Sequence, residues 1–345
     1  MRAVRKLKPQ PGFELTKVPV PKPGPGEVLI KVKAASLCGT DVHVYNWEPP
    51  WSEGRFTPPV TTGHEVCGEV AELGPGVTGL AVGDSVSAES HIACGSCEMC
   101  LTGNMHICQN IKFFSIDVDG FFAEYAILPV KNAWRNPKDM PVEIATLQES
   151  MGNSVYTVQA SNVPGKNVAI FGSGPTGLFA TGIAKAMGAT NVMVVVGSEV
   201  HSRIAKQMGA DHIINRHDQD PVDAIKALTN GMGADVVLEM SGHPVAINQS
   251  LKAARLTGQV TILGLPPKPV EVNVSKDLVL KDLTVRGVYG RKTWETWLVT
   301  SRLLASGRVD IRPVITHRLP LESFEEGIKA MKAGQSGKVV FFPDK

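Results

Sequence analysis

Long apolar runs and an excess of charge are both missing from this sequence of 345 residues. A membrane-spanning helix needs about 20 consecutive apolar residues, and no run reaches that length. The opening stretch, MRAVRKLKPQPGFEL, also lacks the apolar core of a signal peptide. A formal net charge of +2 gives no electrostatic reason to expect nucleic acid or a membrane as a partner. We therefore expect a cytoplasmic protein whose partner is a small molecule.

Cysteine is scarce, with six residues, but four of them are clustered at Cys94, Cys97, Cys100 and Cys108. A disulfide framework fits poorly, because bridges would have to form within Cys-x-x-Cys-x-x-Cys and a chain of this length does not need them. Thiolates at this spacing converge on one tetrahedral ion, and four of them leave no coordination position for a substrate. The cluster predicts a structural zinc site.

A sparser set of metal-ligand types lies upstream of the cluster, at Cys38, His64 and Glu65. Two or three protein ligands leave zinc an open position for water or an alcohol, so this set predicts a catalytic site. The alternative for Cys38 is a small buried side chain, which we expect of Cys67 in the alternating EVCGEV strand. The hydroxyl of Thr40 and the imidazole of His43, close by in sequence, favour the catalytic interpretation.

Two further residues have more than one interpretation. Glu149, in LQESMGN, is either another carboxylate for the Cys38 site or an ordinary helix-surface glutamate. His91, in ESHIACG, is either a structural histidine or a substrate contact. The sequence leaves both alternatives open.

The chain is long enough for two domains, and its pattern changes near residue 150. Before that point, short β segments are punctuated by Gly and Pro: EVLIKVKAAS, EVCGEVAELG, DSVSAES and FAEYAILP. From NVAIF onward, continuous apolar strands alternate with helices. This alternation predicts an α/β fold with a doubly wound parallel sheet, whose ligands bind beyond the carboxyl ends of its strands. After about residue 290, two amphipathic helices precede a closing strand, KVVFF.

A glycine turn follows the first parallel strand, at Gly172-Ser-Gly174-Pro175-Thr176-Gly177. Between a strand and a helix, such a turn lets backbone N–H groups and the helix N-terminus face a pyrophosphate. The turn therefore predicts a dinucleotide site.

The position that recognises the adenine ribose departs from the usual pattern. An acidic residue normally accepts the ribose hydroxyls of NAD about twenty residues after the turn, whereas this chain has Val196-Gly197-Ser198. Without that carboxylate nothing repels a 2′-phosphate. Donors to it would be Ser198, His201, Ser202 and Arg203, which favours NADP. The alternative is that Arg203 is an ordinary solvent-exposed side chain on a helix face and binds no ligand.

Together these motifs resemble the zinc-dependent medium-chain alcohol dehydrogenase family over essentially the whole chain. The segments CGTD-x-H and GHE are typical of the whole family, and other segments are similar to its L-threonine 3-dehydrogenase branch: CGTDVHVYNW, ESHIACGSCEMC, LEMSG, GRKTWETW and ITHRLPL. The resemblance implies a β-rich GroES-like catalytic domain over residues 1–150, with a structural zinc lobe at about 89–112, and a Rossmann domain over 151–290. Residues 291–345 would complete the catalytic domain.

The resemblance also implies residue roles and cofactors. Cys38, His64 and Glu65 would hold a catalytic zinc, with Glu149 as an alternate ligand or modulator, and Thr40 and His43 would relay the substrate proton. Two zinc ions and NAD would be the cofactors. Further positions match cofactor contacts of the family: Thr176, Leu263, Gly264, Leu265, Val288 and Tyr289.

Two departures from the family pattern stand out. Val196 and His201 stand where the family has its ribose-binding acid and a basic residue, so NADP stays open as the cofactor. Ser150-Met151 stands where the family usually shows Pro, which affects the expected wall of the active site.

The expected function is oxidation of L-threonine, or a similar amino alcohol, to 2-amino-3-oxobutanoate by hydride transfer to NAD(P), in a homotetramer. One alternative is a related zinc polyol or secondary-alcohol dehydrogenase of the 2,3-butanediol or sorbitol class. Another is a non-catalytic sensor that binds zinc and a dinucleotide. Retention of Thr40, His43, His64 and Glu65 argues against the sensor, which would have no use for a proton relay.

Overall fold

The chain divides into two compact units in a computed structural model that describes residues 1–49, 53, 54 and 56–344. The first unit comprises Met1–Glu149 and Ile315–Lys345, and the second comprises Ser150–Val314. No helix within the described residues is long and apolar enough to cross a membrane.

Residues 291–314 lie in the second unit, whereas the family resemblance implied that residues 291–345 complete the first. Their packing explains the difference. The side chain of Arg291 packs on Gly152 and that of Val309 packs on Gly182, so closely that a Cβ atom at these glycines would lie 3.0 and 3.2 Å from them. Both glycines belong to the second unit.

The first unit is built mainly from β-strands, numbered here along the whole chain. They are β1 (Arg2–Lys6), β2 (Glu14–Lys17), β3 (Glu27–Ser36), β4 (Val60–Thr61), β5 (Glu65–Leu73), β6 (Ser85–Ala88), β7 (His91–Ile92), β8 (Lys112–Phe113), β9 (Tyr125–Pro129), β10 (Ala133–Arg135), β17 (Ile315–Pro320) and β18 (Lys338–Phe342). Its helices are α1 (Gly39–Asn46), α2 (Glu98–Leu101), α3 (Val142–Ala145) and α11 (Phe324–Lys332). Short 3-10 turns cover Met105–Ile107, Val130–Asn132 and Leu321–Ser323.

Strand β3 organises the main sheet of this unit. The sheet runs β10-β6-β5-β3-β18-β17, and β9 also pairs with β3. The apolar sequence EVLIKVKAAS suits this central position, because most of its side chains are buried. The antiparallel register places Ser36, the last residue of β3, opposite both Glu65 of β5 and Val340 of β18. Smaller sheets have the order β2-β1-β4 and pair β7 with β8.

The second unit alternates strands with helices. Its strands are β11 (Asn167–Phe171), β12 (Asn191–Val196), β13 (His212–Asn215), β14 (Ala234–Glu239), β15 (Ala254–Ile262) and β16 (Thr284–Gly287). The helices are α4 (Gln148–Gln159, whose first two residues belong to the first unit), α5 (Pro175–Ala186), α6 (Glu199–Gln207), α7 (Pro221–Leu228), α8 (Pro244–Ala253), α9 (Val274–Asp277) and α10 (Glu295–Ala305). Two 3-10 turns cover Val279–Lys281 and Arg312–Val314.

All six strands of this sheet are parallel, in the order β13-β12-β11-β14-β15-β16. The strand order reverses between β11 and β14, which is the switch point where doubly wound sheets bind their ligands. Strands β11 and β12 are almost wholly buried, as expected for a sheet covered by helices on both faces. The doubly wound parallel sheet predicted from the sequence is confirmed.

Candidate metal centres and dinucleotide site

The four clustered cysteines come together around α2 in the first unit. Ligand atoms of Cys94, Cys97, Cys100 and Cys108 all lie within 4.8 Å of one another, and all four are free thiols. The Sγ atoms of Cys97 and Cys100 are 3.5 Å apart, and those of Cys97 and Cys108 are 3.8 Å apart. Four thiols at this separation fit one tetrahedral zinc ion.

Backbone amides support the anionic form of the Cys94 and Cys97 thiols, whereas burial raises the pKa of the Cys100 thiol to about 12. The N–H groups of Ser96 and Cys97 lower the pKa of the Cys94 thiol to about 5. The amides of Cys94 and Asn110 both donate to the Cys108 sulfur at 3.3 Å. Since the thiolate is the form that binds zinc, this loop is already arranged for a metal.

A second group of metal-ligand atoms lies where β3 ends and β5 begins. Ligand atoms of Cys38, His64 and Glu65 also lie within 4.8 Å of one another. Cys38 is the N-cap residue of α1, and His64 directly precedes β5, of which Glu65 is the first residue. A thiol, an imidazole and a carboxylate suit zinc, and three protein ligands leave an open position.

Asp41 links two of these residues, a role that sequence reasoning missed. One oxygen of its buried carboxylate accepts a hydrogen bond from the Cys38 N–H at 2.9 Å, and the other lies 3.4 Å from Nδ1 of His64. Burial disfavours the His64 imidazolium, but Asp41 and Cys38 outweigh burial and raise the pKa of His64 well above its usual range. A metal therefore has to displace a proton from His64.

Lys338 is the second residue that sequence reasoning missed. It opens β18, is fully buried, and its Nζ lies 2.5 and 2.6 Å from the two carboxylate oxygens of Glu65. The Ser36 hydroxyl donates to the same carboxylate. Burial lowers the pKa of Lys338, but Glu65 and Cys38 more than offset this and raise it. Lys338 is thus a buried cation at the edge of the ligand set.

The other predicted residues of this region lie in different environments. Glu149 is buried and accepts a hydrogen bond from the Ser90 hydroxyl at 2.6 Å, so it is not a helix-surface glutamate. The Thr40 side chain is half-buried, and His43 is exposed, with its Nδ1 2.5 Å from an oxygen of Glu48. The His91 ring packs edge-on against Phe113 at 4.9 Å, in keeping with the structural alternative.

The glycine turn joins β11 to α5 in the second unit. Gly172 has φ +100°, a conformation that favours glycine. A Cβ atom at Gly177 would lie 1.8 Å from the carbonyl oxygen of Gly172, so only glycine lets the helix approach the strand this closely. Gly174, the N-cap residue, faces open space with nothing within 4 Å of a Cβ position. This arrangement fits a pyrophosphate.

The remaining predicted cofactor residues lie near the carboxyl ends of the parallel strands. Val196 ends β12 and is buried, and the Ser198 side chain accepts a hydrogen bond from the His201 N–H at 3.3 Å. Arg203 is exposed on α6. Residues that follow β15 and β16 are hydrogen-bonded to neighbouring strands. The Leu263 amide donates to the Glu239 carbonyl oxygen, and the Val288 amide donates to that of Ile262. The other predicted contacts are at Pro175 and Thr176 in α5, and Gly264, Leu265 and Tyr289 in loops.

Comparisons with known proteins agree with this architecture. Residues 24–138 match the alcohol dehydrogenase GroES-like domain, and residues 175–306 match the zinc-binding dehydrogenase domain. The chain belongs to the zinc-binding alcohol dehydrogenase family. This confirms the family, the fold class and the enzyme class that the sequence motifs predicted.

Within this dehydrogenase family, similarity to L-threonine 3-dehydrogenases covers the whole chain. The enzyme of Thermococcus kodakarensis is 50% identical, with 100% of this chain and 99% of that protein covered. The Bacillus subtilis enzyme is 47% identical, with 99% of each covered.

Solved structures extend the likeness to other dehydrogenases. A zinc-binding dehydrogenase from Sinorhizobium meliloti, bound to NADP, has a TM-score of 0.92 at 32% identity and 99% coverage of both chains. The 2R,3R-butanediol dehydrogenase from Bacillus subtilis has a TM-score of 0.89 at 30% identity, again with 99% of both chains covered. Zinc and a nicotinamide dinucleotide are therefore the cofactors of this family of small-molecule oxidoreductases.

The buried Lys338–Glu65 pair makes a stability prediction. Lys338→Met should lower the free energy of unfolding by about 3–5 kcal/mol, because it leaves a buried carboxylate without its counter-charge. Adding Glu65→Gln should recover part of the loss. The matched control is Lys31→Met, which removes the exposed ion pair with Asp344 (3.1 Å) and should cost far less, because solvent screens that pair. Urea unfolding checks this, and equal losses in both lysine variants would contradict it.

The raised pKa of His64 makes a metal-release prediction. Protons compete with zinc for His64, so on acidification toward about pH 5 the Cys38 site should lose zinc first, by about tenfold in affinity per pH unit for each proton displaced. The four-cysteine site should hold zinc longer, because four thiolates fill the coordination sphere of the ion and leave no open position. Zinc analysis after dialysis at each pH measures this.

Two variants assign each step of that release. Cys38→Ser should lack the acid-labile zinc, and Cys97→Ser should lack the more resistant one and melt at a lower temperature. Loss of both ions in Cys38→Ser would contradict two independent sites.

Proposed function

We propose that this chain is an L-threonine 3-dehydrogenase, which oxidises the C3 hydroxyl of L-threonine to a ketone and transfers the C3 hydride to NAD(P). The observation that carries the proposal is the ligand set of Cys38, His64 and Glu65, within 4.8 Å of one another, in a chain 50% identical over its full length to enzymes of that name. The product is 2-amino-3-oxobutanoate.

Two zinc ions per chain follow from the two ligand sets. An ion held by four thiolates has no open position, so Cys94, Cys97, Cys100 and Cys108 would form a structural site. An ion held by Cys38, His64 and Glu65 would act as a Lewis acid that lowers the pKa of the substrate hydroxyl. Glu149, held by Ser90, lies buried in the same unit and would serve as an alternate ligand or modulator.

Helix α1 supports the proposed route for the substrate proton. Thr40 and His43 are three residues apart on α1, so their side chains lie on the same face of the helix. The Thr40 hydroxyl can accept a proton while donating its own. His43 is exposed, so it can exchange a proton with water. Its neighbour Glu48 stays ionised near neutral pH, because the hydrogen bond from His43 lowers the pKa of Glu48.

Lys338 has a supporting part in this proposal. By holding both oxygens of Glu65, it fixes the carboxylate and offsets one negative charge of the ligand set. A family that is commonly tetrameric also suggests a cytoplasmic homotetramer for this chain.

Initial rates on the zinc-loaded protein test the proposal. L-threonine should be turned over at a kcat/KM well above that of 2,3-butanediol, the substrate class of a structural relative. Thr40→Ala should lower kcat by about 100-fold or more, the usual contribution of a positioned proton-transfer group. Thr78→Ala, which removes an exposed threonine of the same unit, should leave the rate unchanged.

Two results would refute the proposal. Equal turnover of 2,3-butanediol and L-threonine would assign the chain to the polyol dehydrogenases. Failure to reduce either dinucleotide with any alcohol or amino alcohol of a panel would make it a non-catalytic binding protein.

A further inference from the structure

Two residues at neighbouring strand ends meet in the second unit. Gly197 directly follows β12, and Arg216 directly follows β13. These parallel strands pair with Val196 opposite Asn215, and the Arg216 amide donates to the Val196 carbonyl oxygen at 3.0 Å. The register therefore places Arg216 beside the turn that connects β12 to α6.

The Arg216 guanidinium packs directly on Gly197. A Cβ atom at Gly197 would lie 2.5 Å from both Cζ and Nη1 of Arg216, and 2.7 Å from Nη2. Any larger residue at position 197 would push the guanidinium away. Glycine thus keeps a planar, positively charged group at the carboxyl end of the second strand.

The N–H donors of the Arg216 guanidinium are available to a ligand. Within residues 1–49, 53, 54 and 56–344, no hydrogen bond or ion pair engages its side chain, which is exposed. The turn Val196-Gly197-Ser198 contains no carboxylate, and the Asp218 carboxylate accepts a hydrogen bond from Asn215 at 2.8 Å. The Ser198 oxygen accepts the His201 N–H, which leaves its own O–H as a donor at the same turn.

In a doubly wound sheet, residues at the end of the second strand, here β12, contact the 2′ position of the adenine ribose. A carboxylate there accepts the two hydroxyls of NAD, whereas an arginine accommodates the 2′-phosphate of NADP. A guanidinium can donate two parallel hydrogen bonds to one phosphate. Here the position has no acid and a guanidinium packed against it.

We propose that Arg216, with the Ser198 hydroxyl, binds the adenosine 2′-phosphate and gives this chain its selectivity for NADP. The inference rests on the proposed function only in taking a nicotinamide dinucleotide as the cofactor. It keeps Ser198 of the sequence-based hypothesis and assigns the guanidinium that binds the phosphate to Arg216 instead of Arg203. Arg203 lies further along α6, away from the turn at Gly197.

Calorimetric titration of the zinc-loaded protein with NADP and with NAD tests this assignment without relying on turnover. Wild type should bind NADP more tightly than NAD. Arg216→Ala should weaken NADP binding by about 10- to 100-fold, as expected for the loss of charge-assisted hydrogen bonds, and change NAD binding by less than about twofold. Arg216→Lys should retain part of the preference, because a lysine keeps the charge and loses the paired donors.

Arg203→Ala is the matched control, since it removes another exposed arginine, from the neighbouring helix, and should keep the NADP preference. An unchanged ratio of NADP to NAD affinity in Arg216→Ala overturns the inference, and so does a selective loss of NADP binding in Arg203→Ala alone. Turnover of L-threonine with NAD but not NADP would overturn it while leaving the proposed function intact. NADP selectivity without turnover of L-threonine would support the inference and contradict the proposed function.

Discussion

The buried charges around Glu65 are the constraint on which the metal site depends. Asp41, Glu65 and Glu149 are each less than 5% exposed and lie in the same unit as the Cys38 thiol. Lys338, also buried, supplies one positive charge against them, and the His64 imidazolium beside Asp41 supplies a second that a metal would displace. Uncompensated carboxylates are costly to remove from water, so a divalent cation held by Cys38, His64 and Glu65 would restore the balance. The stability of this region and its proposed chemistry therefore have the same electrostatic origin.

Strand ends position the chemistry in both units. In the first, the register of β3, β5 and β18 gathers Ser36, Glu65 and Lys338 from segments far apart in sequence. In the second, the register of β12 and β13 brings Arg216 onto Gly197. Rigid sheets hold these groups, and the loops that follow the strands carry the residues that would meet substrate and cofactor.

Local patterns were enough to predict much of this molecule. The apolar runs of β3 and β12 predicted strands, the cysteine spacing predicted that the four thiols converge, and the glycine turn predicted a strand followed by a helix at β11 and α5. Lys338 and Arg216 were missed, because each is a single basic residue at the end of an apolar strand. Their roles come from residues brought close by pairing between strands, which a linear pattern does not reveal.

The central claim is that Cys38, His64 and Glu65 bind a catalytic zinc ion separate from the ion of the four-cysteine lobe. The most direct measurement is an anomalous difference map, recorded across the zinc absorption edge, from crystals of the zinc-loaded protein. We expect two peaks per chain, one within bonding distance of the Cys38, His64 and Glu65 ligand atoms and one among Cys94, Cys97, Cys100 and Cys108. A peak in the cysteine lobe alone, at full zinc loading, would contradict the account.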